Sequence, residues 1–478
     1  MDSNYTAGSK SSYIELEHYN NGTEIELPKS NGICKEIFEE NGFGDLDDVP
    51  LIPGDAELIS NREAGSDIPG AVFNLATSII GAGIMALPAT MKVLGLVFGF
   101  FSILVMGILS EISIELLVRF SVISKSTSYG ELVESAFGLP VRILSEICII
   151  INNAGVLIVY LIIIGDVMSG SPEHIGVFHQ LFGHGVWDFR KLVILIILIL
   201  FLAPLCALEK IDSLSLTSAA SVALAIVFVV VSCAIATVKV MEGKIAKPRM
   251  GPDFGSKAAI MDLLVVIPIM TNAYVCHFNV HPIYTELKGR SPQKMDCVGR
   301  ITTALCVLVY FSTAVSGFLL FGDDTESDVL INFDRDLGIR FSSVLNYIVR
   351  IGYVLHLVLV FPVIHFSLRQ TASSLLFKEP LPQGRTKTLA LTAVLLGVIY
   401  LGSTMIPNIW VAFKFTGATT GLSLGFIFPC CVALRLDKRG ENLTRGERVL
   451  SWVMLSWAVV VGIVGVVGNI CSFRSNSS

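Results

Sequence analysis

Apolar positions along this chain gather into eleven runs, near 68–90, 94–118, 142–169, 191–207, 214–238, 260–286, 299–321, 340–367, 387–406, 408–435 and 449–471. Most of them approach or exceed the roughly 20 apolar residues a helix needs to cross a bilayer. The pattern predicts an all-α membrane protein with 11 transmembrane helices over 68–471, a polar leader over 1–67 and a short tail, 472–478. The connection at Pro407-Asn408 is very short. If it fails as a turn, the ninth and tenth runs merge and the count becomes ten.

Two runs are interrupted at their centres. The first reads IPGAVFNLATSIIGAGIMALPAT, with Gly81-Ala82-Gly83 in the middle and Pro88 just beyond. The sixth, 260–286, carries Pro268, then Thr271-Asn272, Cys276-His277 and His281-Pro282. Glycine weakens a helix interior and proline removes a backbone donor. A spanning helix is broken only where its freed backbone groups face protein or a water-filled cavity, and in secondary transporters such breaks form the substrate site. Two interrupted runs five apart predict two five-helix inverted repeats plus one extra helix, with both breaks meeting at mid-membrane. Separate kinks at ordinary packing contacts are the plainer alternative.

Composition agrees with the membrane assignment: hydrophobic residues make up 53% and charged residues 15%, against roughly 25% charged in soluble domains. Residues 1–67 hold fifteen Asp/Glu and four Lys/Arg, a net charge of −11, which leaves +5 for the remainder. So polar and acidic a leader is expected to be mostly disordered and cytosolic. With the N-terminus inside, the cytosolic connections collect most of the basic residues, among them Arg119, Lys125, Lys210, Lys288, Arg290, Lys294, Arg369, Lys378, Arg385, Lys438, Arg439, Arg445 and Arg448, as the positive-inside rule requires. The connection 239–259, with five basic residues, dissents. The ten cysteines form no CxxC pair, and several lie inside apolar runs. They predict small hydrophobes rather than disulfides or a metal site. No Walker A, HExxH or GxSxG motif is present, so no enzyme, no cofactor and no nucleic-acid partner is expected.

Three segments carry a resemblance. Residues 276–287, CHFNVHPIYTEL, resemble the sixth-helix signature of the amino acid/auxin permease family, and 74–88, NLATSIIGAGIMALP, its first helix. Residues 160–166, YLIIIGD, are similar to its third. Order and spacing agree across about 68–471. Within that family the chain resembles the plant vacuolar-type amino-acid transporters, relatives of the animal sodium-coupled neutral amino-acid transporters. The resemblance implies a LeuT-type fold and movement of free amino acids by alternating access.

A free amino acid brings a carboxylate, suited to the N–H groups at a half-helix N-terminus, and an ammonium, suited to carbonyl and hydroxyl oxygens. The expected cradle is Ala82, Gly83 and Ile84, with Ser78, Ile79 and Ile80 supplying oxygens and Gly81 a further substrate-binding candidate at the break. Thr271, Asn272 and Tyr274 of the sixth helix and Asn152, Asn153 and Tyr160 of the third are further candidates. Interhelical hydrogen bonding is the plainer role for the asparagines. In the sodium-coupled relatives the ion is held by the first helix and a hydroxyl-bearing eighth helix. Here Thr77 stands where those relatives carry asparagine, and the matching eighth-helix positions are Val358 and Val360. Valine offers no oxygen to a hard cation, so proton coupling or exchange is expected rather than sodium coupling. His277 is the foremost proton candidate, ahead of His281 and His356, because histidine changes charge near neutral pH. Glu111, Glu115, Glu146 and Lys414 also lie in or near spans, where pairing with opposite charges is the plainer role.

The functional classes left are a secondary amino-acid transporter, an amino-acid-sensing receptor on a transporter fold, and a channel. The resemblance leans toward a vacuolar or other endomembrane location, with the plasma membrane the alternative.

Overall fold

A computed structural model describes residues 65–171, 174–207, 215–245, 247–377, 384–437 and 442–475, all within one compact unit, Pro50–Ser478. The expected acidic leader lies outside the described residues except for 65–67.

The first run folds as two helices, α1 (Ile68–Ile79) and α2 (Gly83–Leu94), bent by 57° at residues 80–82. Asp67 starts α1 by accepting the Gly70 N–H at 2.9 Å, a cap of the kind that contributes about 1 kcal/mol. α3 (Leu96–Ser124), the short α4 (Tyr129–Phe137) and α5 (Leu139–Ser169) follow. A small hairpin, β1 (Gly170–Ser171) with β2 (His174–Ile175), leads to α6 (Val177–Phe182). The fourth run is one continuous helical stretch: α7 (Arg190–Ile197), a π turn over Leu198–Leu202 and α8 (Ala203–Cys206). Next come α9 (Ser215–Met241) and the broken pair α10 (Lys257–Tyr274) and α11 (His277–Glu286). The last elements are α12 (Pro292–Phe321), α13 (Ser342–Phe377), α14 (Arg385–Met405), α15 (Ile409–Thr416), α16 (Phe428–Leu436) and α17 (Arg445–Ser475). Consecutive π turns at 417–427 join α15 to α16.

Among the described residues nine helical segments are long and apolar enough to span a membrane, and the bent α1–α2 pair makes ten. The eleventh predicted span is the α7–α8 stretch, which is shorter than the others. The short connection at Pro407-Asn408 does act as a turn, because the Asn408 side chain caps α15 at the Val411 N–H. The ninth and tenth runs therefore stay separate.

Burial separates a core from a rim. In the most apolar window of 409–436, 72% of the residues are buried, against 28% in those of α14 and α17. Helices buried on all sides form the centre of a bundle, while α14 and α17 present large exposed apolar side chains such as Val398, Leu401, Trp452 and Ile463, as a lipid-facing surface does. The two broken helices are also tied at one end. The Ser66 N–H donates to Glu286 O at 2.8 Å and the Lys288 N–H to Ser66 O at 3.0 Å, which pins the entry of α1 to the exit of α11.

Candidate functional site

Helix ends leave carbonyl and N–H groups without intrahelical partners. At the first break these groups find aromatic hydroxyls from distant helices. Tyr353 of α13 donates to Gly81 O at 2.8 Å. Tyr310 of α12 lies 2.6 Å from Ile79 O and 2.6 Å from Ala273 O, so one hydroxyl joins the open end of α1 to that of α10. The Tyr160 hydroxyl of α5 sits against the Gly81–Ala82 peptide, taking a hydrogen bond from the Ala82 N–H. A Cβ on Gly81 would lie 2.1 Å from that oxygen. Only glycine leaves the tyrosine room there.

The structure distributes the sequence-derived candidates around this centre unevenly. Ile80, Gly81 and Ala82 line the break itself, and Tyr160 reaches it. Gly83 begins α2 and serves close packing: a Cβ there would meet Ala273 Cα at 2.8 Å. Ser78 accepts from Asn279 Nδ2 at 2.8 Å and donates to Asn74 O at 3.0 Å, linking α1 to α11. Thr271 bonds back to Ile267 O within its own helix. Asn272 donates to the Thr416 hydroxyl at 3.2 Å while its Oδ1 has no partner. Asn153 lies away from the break, donating to Ser367 at 3.3 Å, and Asn152 accepts from Thr420 at 3.2 Å. The Tyr274 hydroxyl donates to Ile103 O on α3, so it braces a neighbour rather than facing the break.

Thr77 turns toward α9, not α13. Its hydroxyl lies 3.2 Å from Ser218 O and 3.3 Å from the Ser221 hydroxyl. On α13, His356 rather than Val358 or Val360 completes this cluster, with Nδ1 2.7 Å from Ser221 O. That carbonyl must accept, so Nδ1 carries a proton, while Nε2 has no partner. His277 is fully enclosed beside Phe426 with neither ring nitrogen partnered, whereas His281 Nε2 meets the Ser121 hydroxyl at 2.6 Å. The acidic residues near spans pair: Glu115 with Arg119, Glu111 with Arg300 at 3.3 Å, Glu146 with Arg142 at 2.9 Å, and Lys414 with Asp262 at 3.8 Å.

Sequence reasoning missed Tyr310, Tyr353, Asn279 and Ser221. The available signal was a lone polar residue inside an apolar run, which is costly unless bonded. No local pattern said which carbonyl each would meet.

Cavities lie at the two ends of α5. One, of about 390 Å³, is lined by Glu131, Arg142, Glu146, His281 and Gln370 among others. The other, of about 970 Å³, is lined by Asp166, His174, Arg190, Glu326 and Asn408 among others. Neither of these cavities is lined by the break residues. At the first, burial pushes the Glu131 carboxyl up, but bonds from the Thr127 N–H and hydroxyl outweigh it and hold the group below the usual carboxylate range. Beside the second, Asp328 is enclosed in the loop between α12 and α13, and burial raises its carboxyl to about 7 against the pull of the Leu330 N–H. The same loop closes over α2 through Val329 N–H to Met85 O at 3.2 Å.

Two broken helices joined by tyrosine hydroxyls at the centre of a bundle of apolar spans define the class: a multi-pass membrane transporter. The comparisons give the family. Residues 64–472 match the model of the transmembrane amino acid transporter protein family, and the chain belongs to that family. It is 64% identical to amino acid transporter AVT6E of Arabidopsis thaliana over the full length of both chains. It is 45% identical to AVT6A of the same plant over 90% of this chain and 94% of that one. Its fold is similar to that of the manganese transporter of Eremococcus coleocola, with a TM-score of 0.56, 12% identity and 92% of each chain covered. The protein is thus an integral membrane, secondary active amino-acid transporter by family and not an enzyme, and it shares its fold with a solved membrane transporter.

Proposed function

We propose that the protein moves free amino acids by alternating access at the α1–α2 and α10–α11 breaks, coupled to protons or by exchange rather than to sodium. The observation that carries this reading is the Tyr310 hydroxyl bridging Ile79 O and Ala273 O, because it places the open ends of both half-helices at one point. The substrate carboxylate takes the N–H groups of Gly83 and, by displacing the Tyr160 hydroxyl, of Ala82 at the start of α2, where the helix dipole favours negative charge. Tyr160 and Tyr353 close over it, and the ammonium takes the carbonyls at the end of α1. Ser78, Ile80, Gly81, Thr271 and Asn272 shape the surrounding wall, with Asn153 and Tyr274 holding neighbouring helices in place.

Eleven spans, counting the α7–α8 stretch, arranged as two inverted five-helix repeats plus α17, fit this reading, as do a cytosolic N-terminus and a vacuolar or other endomembrane. Thr77 hydrogen-bonds to α9 and valines stand at 358 and 360, which leaves a sodium ion few side-chain oxygens. The test is uptake in proteoliposomes with an amino-acid panel under imposed sodium or pH gradients. Uptake that persists in choline and follows the pH gradient is expected; strict sodium dependence overturns the coupling.

A further inference from the structure

The segment between α5 and α7 contains a side-chain cluster that the transport site does not use. His179 on α6 and His184 in the following loop both aim Nδ1 at one carboxylate, that of Asp188, at 3.2 and 3.3 Å. The two imidazole rings are 4.2 Å apart and nearly perpendicular. All three donor atoms lie within 4.8 Å of one another. We propose that His179, His184 and Asp188 form a binding site for a zinc-class divalent transition metal, with water completing the coordination.

The geometry is close to what such an ion needs. Zinc takes imidazole nitrogen and carboxylate oxygen at about 2.0–2.2 Å in a tetrahedron, which sets neighbouring ligand atoms roughly 3.3–3.5 Å apart. Here His179 Nδ1 lies 3.2 Å from Oδ1 and His184 Nδ1 3.3 Å from Oδ2 of the one carboxylate, and the three donors, all within 4.8 Å, need only a small inward shift to close on an ion. Two imidazoles with one carboxylate suit zinc, copper or nickel, whereas calcium and magnesium prefer all-oxygen sets. The Gly185 N–H donates to Asp188 Oδ2 at 3.1 Å, which fixes the orientation of the carboxylate toward the two imidazoles. The His184 side chain is 90% exposed, so the site opens to solvent and to the 970 Å³ cavity that all three residues line. The surrounding turn is braced: Trp187 Nε1 donates to Gly183 O at 2.6 Å, and its ring packs on Phe182. The cysteine pattern gave no hint of this, because the ligands are histidines and an aspartate spaced over a loop whose path only the fold sets.

The ion would tie α6 to the turn that precedes α7. Gln180 of α6 already bonds to Asp334 O at 3.2 Å and accepts from Arg350 of α13 at 3.0 Å. The clamp therefore sits on a strap between the α5–α7 and α12–α13 connections.

The test uses purified full-length protein in lipid nanodiscs, titrated with zinc chloride, and hydrogen exchange of residues 177–189 with and without zinc. Wild type is expected to show one saturable site with a Kd on the order of micromolar and slower exchange in that segment when loaded. His184→Ala and Asp188→Asn should each weaken that binding at least tenfold and lose the zinc-dependent slowing. Cobalt(II) in wild type should give the visible absorption of a tetrahedral nitrogen and oxygen site. Zinc binding that is unchanged in both variants, or no saturable binding up to about 1 mM, overturns the proposal. The binding readout is independent of transport, so its failure leaves the amino-acid reading untouched.

Discussion

The hydroxyl of Tyr310 lies 2.6 Å from the carbonyl oxygen of Ala273. The same hydroxyl lies 2.6 Å from Ile79 O. A tyrosine has one proton to donate, so two half-helix ends share one donor at the centre of the bundle. Any movement that separates α1 from α10 must break one of these contacts.

That sharing makes Tyr310→Phe informative. It strands two buried carbonyls, each costing about 1–3 kcal/mol when unpartnered. The variant should unfold at a lower temperature and transport more slowly, with a smaller change in apparent substrate affinity. Thermal unfolding and initial uptake rates against amino-acid concentration read this out. Wild-type behaviour in both would remove the bridge from the mechanism.

Gly81 and Gly83 should respond differently to alanine. At Gly81 the new Cβ collides with the Tyr160 hydroxyl at 2.1 Å; at Gly83 it meets the Ala273 backbone at 2.8 Å. A side-chain oxygen can be removed, whereas a backbone cannot. Tyr160→Phe should therefore recover stability lost in Gly81→Ala and recover none of that lost in Gly83→Ala. A double-mutant cycle on thermal stability checks the coupling, and additive losses at Gly81 and Tyr160 count against the contact.

Asp328 should make stability fall as pH rises. Its carboxyl is raised to about 7 in the folded protein, against about 3.9 unfolded. Below the unfolded value both states are protonated and nothing is lost. Between the two values the folded state binds the extra proton, so stability declines with pH until about 7 and then levels off. The total is on the order of a few kcal/mol. Asp328→Asn should remove this slope and unfold at a higher temperature than wild type at pH 8. Parallel curves for the two proteins from pH 5 to 8 would contradict it.

His277 stands enclosed with both nitrogens unpartnered at the start of α11. As the proposed proton group, His277→Gln should slow uptake driven by a pH gradient or make it insensitive to that gradient, while substrate binding persists. An unchanged pH response shifts the role elsewhere, with His356 beside Ser221 the next residue to replace.

Deleting residues 1–60 should leave transport intact in purified protein, because a sequence this acidic carries too few apolar side chains to be expected to add to the core. Loss of intrinsic uptake in well-folded protein would reverse that view.

The sequence by itself determined the membrane class, most of the helices and the location of both breaks. Those are local properties: about 20 apolar residues in a row read as a span wherever they occur, and Gly81-Ala82-Gly83 or Cys276-His277 disturbs a helix regardless of its neighbours. Gly81 and Ala82 were legible as part of the first break for the same reason. What each polar group meets was decided only by the tertiary structure. Thr77 looked like an ion ligand and instead bonds to Ser218 and Ser221. Tyr274 looked like a pocket residue and braces Ile103. Tyr310 and Tyr353 were silent in the sequence, yet they close the first break from residues 231 and 272 positions away. A buried hydroxyl must find a partner, but chain chemistry states only that need. Which partner satisfies it depends on how helices far apart in sequence come to lie side by side.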